Sequence, residues 1–146
     1  MEKKDLVKLL DEVFVPIGFI RKGNNWTCNN SELQKKINLQ KSNFSNSYFI
    51  NYGFIIHSLS LTTTMHYEIR LAGVNKKEQE RITQLLNLEI EINDLQRASE
   101  LKIIILTKIK SRLQDIESLI DLKNELFNRQ HLNDIPLVVK RYFNFE

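Results

Sequence analysis

From Val74 to Ile135 the chain contains neither glycine nor proline, whereas Pro16, Gly18, Gly23, Gly53 and Gly73 all fall before it. These two residue types interrupt regular structure more than any others. Their distribution separates a half built of short, turned segments from a half free to run in helices. Alternating hydrophobicity fills the first half and three- and four-residue spacing the second. Strands followed by helices imply α+β.

Leu6, Val7, Leu9, Leu10, Val13 and Phe14 make one apolar stripe on a helix over Glu2 to Val15, stopped by Pro16. Phe19 to Lys22 and Trp26 to Asn29 read as a hairpin about Gly23-Asn24-Asn25. The next hairpin can be argued to its register. Leu33, Ile37 and Leu39 alternate with polar residues, as do Tyr48, Ile50, Tyr52, Phe54 and Ile56 with their neighbours. A loop over Asn43 to Asn46 then sets Leu39 opposite Ile50 and Ile37 opposite Tyr52, and a slip of one residue would destroy every apolar pair. A third strand, Met65 to Ala72, continues the meander with Tyr52 opposite Ile69 and Ile56 opposite Met65. Lys76 to Leu86 is helical, and Leu88, Ile90 and Ile92 alternate as a short edge strand. Asn93 or Asp94 caps a long helix running to about Leu119, whose stripe is Leu106, Ile109, Leu113, Ile116 and Ile120. Asp121 caps a further helix, and Asn133 or Asp134 before Pro136 starts the last.

The chain has 146 residues, 42% of them hydrophobic and 27% charged, which describes one domain over 1–146 with a real core and excludes disorder or a disulfide scaffold. Residues 1–73 supply a helix and an antiparallel sheet of four to five strands, and 74–146 supply helices packed on one face of it. Cys28 has no cysteine partner and the first residues lack the apolar run of a secretory signal, so a cytoplasmic location is expected. No apolar run is long enough for a membrane span.

The strand register places Lys36, Asn38, Gln40, Asn51, His66, Glu68 and Arg70 together on the face opposite the apolar one. Asn38, Asn51 and Arg70 fall in one cross-strand row and Lys36, Gly53 and Glu68 in the next. Amides and a guanidinium in rows offer directional hydrogen bonds to a carboxylate, a phosphate or a peptide backbone, and Gly53 leaves room for close approach. The plain alternative is the solvated side of an antiparallel sheet. The pair His66 and Glu68 suits acid–base chemistry, but nothing completes a catalytic set, and no catalytic residue, metal ligand or cofactor is assigned. Arg21, Lys22, Lys35, Lys36 and Lys41, with Trp26, Phe44 and Phe49 nearby, have the composition of a single-stranded nucleic-acid surface. Alternation divides those charges between two faces, which argues against it. Ile103 to Leu106 covers the whole circumference of a helix, and so must lie in the core or meet another chain, a homo-oligomer included.

The order of signals in the first half is Gly18-Phe19-Ile20-Arg21-Lys22-Gly23 with Trp26, Ile37-Asn38-Leu39-Gln40-Lys41-Ser42, Tyr48-Phe49-Ile50-Asn51-Tyr52-Gly53, and Arg70-Leu71-Ala72-Gly73. It resembles the bacterial domain-of-unknown-function family numbered 4304, most closely over residues 1 to 75. The resemblance implies the fold and a bacterial cytosolic setting, and no agreed activity comes with it.

Taken together, the expectation is a non-enzymatic module that binds a protein partner, of the antitoxin or immunity kind by elimination. The alternatives are a small hydrolase or transferase using His66, Glu68 and Arg70, or a weak single-stranded nucleic-acid binder.

Overall fold

The computed structural model describes residues 1–129 and 135–145. The expected cap at Asn133 or Asp134 lies outside the described residues, as does His131. Helix α1 spans Lys3–Phe14, and a 3-10 turn over Val15–Ile17 carries Pro16. Gly18, at φ 102°, releases the chain into the sheet with a backbone that only glycine adopts without strain. Strands β1 (Ile20–Lys22), β2 (Asn25–Asn29), β3 (Leu33–Lys41), β4 (Tyr48–Ile56) and β5 (Tyr67–Arg70) follow in spatial order β1-β2-β3-β4-β5, every pair antiparallel.

The register is the one the hydrophobic pattern requires. Ile37 pairs with Tyr52, Leu39 with Ile50, and Tyr52 with Ile69. Between β2 and β3 the Asn30 side chain accepts from the amides of Glu32 (2.9 Å) and Leu33 (2.8 Å), so a local turn fixes the pairing before the long hairpin closes. One face of the sheet meets α1 through Leu6, Leu9, Leu10, Val13 and Phe14, and the same hydrophobic cluster takes in buried residues of every later helix. Trp26, fully buried, donates its indole N–H to Asp11 on α1 at 2.8 Å.

Strand β5 is shorter than expected. Met65 does not pair with Ile56, because the Ile56 amide donates to the Nδ1 of His66 (2.8 Å) while the His66 amide donates to Phe54 (3.0 Å). A side chain has replaced the last rung of the ladder.

Helix α2 (Lys76–Leu86) starts at Asn75, whose side chain accepts from the Glu78 amide. The edge strand expected at residues 88–92 is absent. A single bridge joins Ser47 to Asn87, and the Arg97 guanidinium collects the carbonyls of Gln84, Leu85 and Asn87 at the end of α2 and that of Ile90 within the expected strand. Arg97 is 2% exposed, and burial lowers its pKa from the ordinary arginine value against the pull of Asp94.

Asn93 caps α3 (Asp94–Ile104), which passes through a π turn at Ile105–Lys110 into α4 (Ser111–Asp115). The buried stripe is Leu101, Ile105, Ile109 and Leu113, four residues apart throughout. In an α-helix that spacing drifts by about 40° per step. The wider π turn takes up the drift and holds the stripe on the core. The expected continuation to Leu119 fails at Ile116, where the backbone turns extended, and Ile120 stands exposed. Ser118, not Asp121, caps α5 (Leu119–Phe127). Asp121 is the reciprocal member of a capping box, and the Glu117 and Ser118 amides hold its carboxyl below the usual range. Pro136 precedes α6 (Leu137–Phe143). Of the apolar run, Ile105 is in the core, Ile104 and Leu106 are half-buried against it, and Ile103 is 60% exposed. Among the described residues no helix is long and apolar enough to cross a membrane.

Candidate functional site

With the helices on one side, the other side of β2–β5 is an open polar face. Three asparagines and an arginine occupy one rung of the sheet, since Asn25 pairs with Asn38, Asn38 with Asn51, and Asn51 with Arg70. Their side chains form a directed chain. Arg70 Nε donates to Asn51 Oδ1 (3.0 Å), Asn51 Nδ2 to Asn38 Oδ1 (3.4 Å), and Asn38 Nδ2 to Asn25 Oδ1 (2.9 Å). Gln40, one pleat away on β3, accepts at Oε1 from both Asn51 Nδ2 and Arg70 Nη2, each at 2.9 Å. Asn51 is the keystone, 4% exposed, with its amide spent on Arg70, Asn38 and Gln40. The Arg70 guanidinium also lies 4.1 Å above the Phe49 ring, so two hydrogen bonds and a stacking contact fix its plane.

The next rung carries Thr27, Lys36, Gly53 and Glu68. Lys36 reaches the Thr64 carbonyl at 3.5 Å, and the Thr64 hydroxyl donates to Glu68 Oε2 at 3.3 Å. The first rung, Lys36 and Glu68 of the second, Gln40 and Thr64 together bound a cleft of about 600 Å³. Gly53 has a different task from the close ligand approach expected of it. A Cβ there would lie 1.8 Å from the Tyr67 carbonyl, so glycine is what lets β5 sit against β4.

Six of the seven residues singled out in the sequence line this cleft: Lys36, Asn38, Gln40, Asn51, Glu68 and Arg70. His66 does not. Its side chain is 3% exposed, with Nδ1 accepting from Ile56 and Nε2 facing the Ser60 carbonyl at 2.9 Å. That pattern is the neutral Nε2–H tautomer closing a loop, and it leaves no ring nitrogen to work beside Glu68. Asn25 and Thr64 complete the lining but were not expected there. Asn25 was read as part of the Gly23-Asn24-Asn25 turn, whereas the structure makes it the first residue of β2, and Thr64 sits in a loop with no periodicity to read.

The basic residues of the first strands divide as alternation requires. Lys35 points to the core side and pairs with Glu117, and Arg21 pairs with Asp11 at 3.1 Å. On the core side of β5, burial raises the Tyr67 phenol above its ordinary pKa although Arg129 pulls it down. Burial works to lower the pKa of Arg112 nearby, and the hydrogen-bonded Glu125 carboxylate overrides it, leaving a net rise. These contacts fasten the helices to the sheet and stand away from the cleft.

A family model described as Domain of unknown function (DUF4304) matches residues 10–140. No curated protein and no solved structure matches the chain.

Proposed function

The chain belongs to the DUF4304 family, and from that premise we propose that it is a non-enzymatic binding module whose polar sheet face receives a segment of a protein partner. The observation that carries this reading is the Asn25–Asn38–Asn51–Arg70 rung. Asparagine is a poor strand former, and a merely solvated face would be served as well by threonine or lysine. Three asparagines in one rung, locked to an arginine that is itself stacked and clamped, are a preorganised recognition surface. The enzyme alternative loses its imidazole, because both ring nitrogens of His66 are taken up by backbone contacts, so His66 cannot work beside Glu68 and Arg70. The nucleic-acid reading loses two of its five cations, since Lys35 and Arg21 pair with Glu117 and Asp11. Self-association through Ile103 to Leu106 has only Ile103 left standing open. A bacterial cytoplasmic setting and an antitoxin- or immunity-like role belong to the same reading.

The test is affinity capture of the tagged chain from lysate of cells that make it, wild type beside Lys36→Ala/Asn38→Ala/Arg70→Ala, with thermal melts to show that both are folded. A stoichiometric protein held by the wild type and lost from the folded variant is expected. Equal capture by both would overturn the assignment to this face.

A further inference from the structure

Counting which hydrogen-bonding capacity in the cleft is already used shows a marked asymmetry. Every amide oxygen of the network already accepts: Asn51 Oδ1 from Arg70, Asn38 Oδ1 from Asn51 and Asn25 Oδ1 from Asn38, one bond each, and Gln40 Oε1 from two donors. Most of what the amides and cations leave over is donors. Asn25 and Gln40 keep both side-chain N–H groups, Asn38 keeps one, and Arg70 keeps the whole of Nη1 and part of Nη2. Lys36 has only its long contact to the Thr64 carbonyl. Among the described residues neither Lys36 nor Arg70 forms a salt bridge, although both line a cleft that also holds Glu68.

We propose that the cleft is an oxyanion site, and that what it takes is a carboxylate carried by an acidic segment of a partner protein. This rests on the binding-module reading above. The free edge of Arg70, presented by Asn51, Gln40 and Phe49, supplies the planar fork that matches a carboxylate, and the Asn38 and Asn25 amides extend the donor row beside it. Lys36 closes on the anion from the adjacent rung. Glu68 sets the selectivity. Its Oε1 is unpartnered and lies across Gly53 from Lys36, so it accepts a backbone N–H of the incoming peptide and repels a second negative charge. A monoanionic carboxylate flanked by peptide amides suits that arrangement, and a phosphate dianion does not.

The experiment is a titration of the full ¹⁵N-labelled chain with N-acetyl-aspartate α-amide. Its asparagine counterpart and inorganic phosphate are run in parallel at matched ionic strength, and the side-chain signals of Asn25, Asn38, Gln40 and Arg70 are followed. The aspartate compound is expected to give saturable shifts at those four groups, with phosphate at least about tenfold weaker and the asparagine compound silent. Asn38→Asp, nearly isosteric with the native residue, should stay fully folded at the titration temperature, giving up only the bond to Asn25, and lose about tenfold in affinity by placing a charge where the anion sits. Absence of saturation, equal response to the asparagine compound, or tighter binding of phosphate would each overturn the proposal. Saturable carboxylate binding in a chain that captures no protein would uphold the oxyanion site and sink the protein-partner reading. A captured partner with no carboxylate response would do the reverse.

Discussion

Asn51 shows how much a single side chain settles. Without its amide, Arg70 loses one of its two clamps, Asn38 loses the donor that orients it, and Gln40 is left holding Arg70 alone. Gly53, two residues on, carries the opposite lesson, since its function is to have no side chain. Gly53→Ala puts a methyl group against the Tyr67 carbonyl and should cost about 1–3 kcal/mol, read as a lowered midpoint in urea, with β5 the first element to lose amide protection. His66 is best tested by comparing two replacements. His66→Ala strands the buried Ile56 amide, for about 1–3 kcal/mol. In His66→Asn the amide oxygen stands near the lost Nδ1 and should recover part of that. Equal losses in the two variants would show that the Nδ1 contact contributes nothing. Neither role was legible in the sequence, where both residues fall on the polar side of the alternation and look available for chemistry. What removes them is a backbone contact across strands that side-chain patterning does not encode.

At the scale of elements, the sequence is most informative where burial is one-sided. The register of β3 against β4 followed from Ile37, Leu39, Ile50 and Tyr52 because only one alignment buries them all. Ile37→Asp should therefore prevent folding, whereas Asn38→Asp beside it stays folded and loses only the bond to Asn25, about 1 kcal/mol. Far-ultraviolet circular dichroism on the pair decides this, and a reversed outcome would place the strands one residue out of step. Alternation at Leu88, Ile90 and Ile92 misled because it is a local signal, and the buried Arg97 ties the Ile90 carbonyl to those at the end of α2. Arg97→Met, which keeps the aliphatic stem and removes the donors, should loosen residues 87–92 and the end of α2 for about 2 kcal/mol, seen as faster amide exchange confined to that corner. The long helix was foreseen but its true stripe was not, since a four-residue spacing looks like an imperfect 3.6-residue pattern until the π turn is seen.

Over the whole molecule, the two halves contribute differently. Residues before Val74 carry nine basic and six acidic side chains, and those after it carry twelve of each. The small surplus therefore lies on the half that holds the cleft, and both cations that line the cleft, Lys36 and Arg70, are without a salt bridge among the described residues. The helical half covers the apolar face of the sheet and leaves the polar face open. Its exposed Ile103 is the one competing surface that the sequence singled out.

The measurement that separates these surfaces most directly is photocrosslinking in the producing cell. Benzoylphenylalanine replaces either Thr27, which shares the Lys36 rung but lies outside the cleft lining, or Ile103 on the helical side. A discrete adduct from position 27, abolished by Asn38→Asp and absent from position 103, is the result expected of a module that binds through its polar sheet face. An adduct from position 103 alone would contradict it.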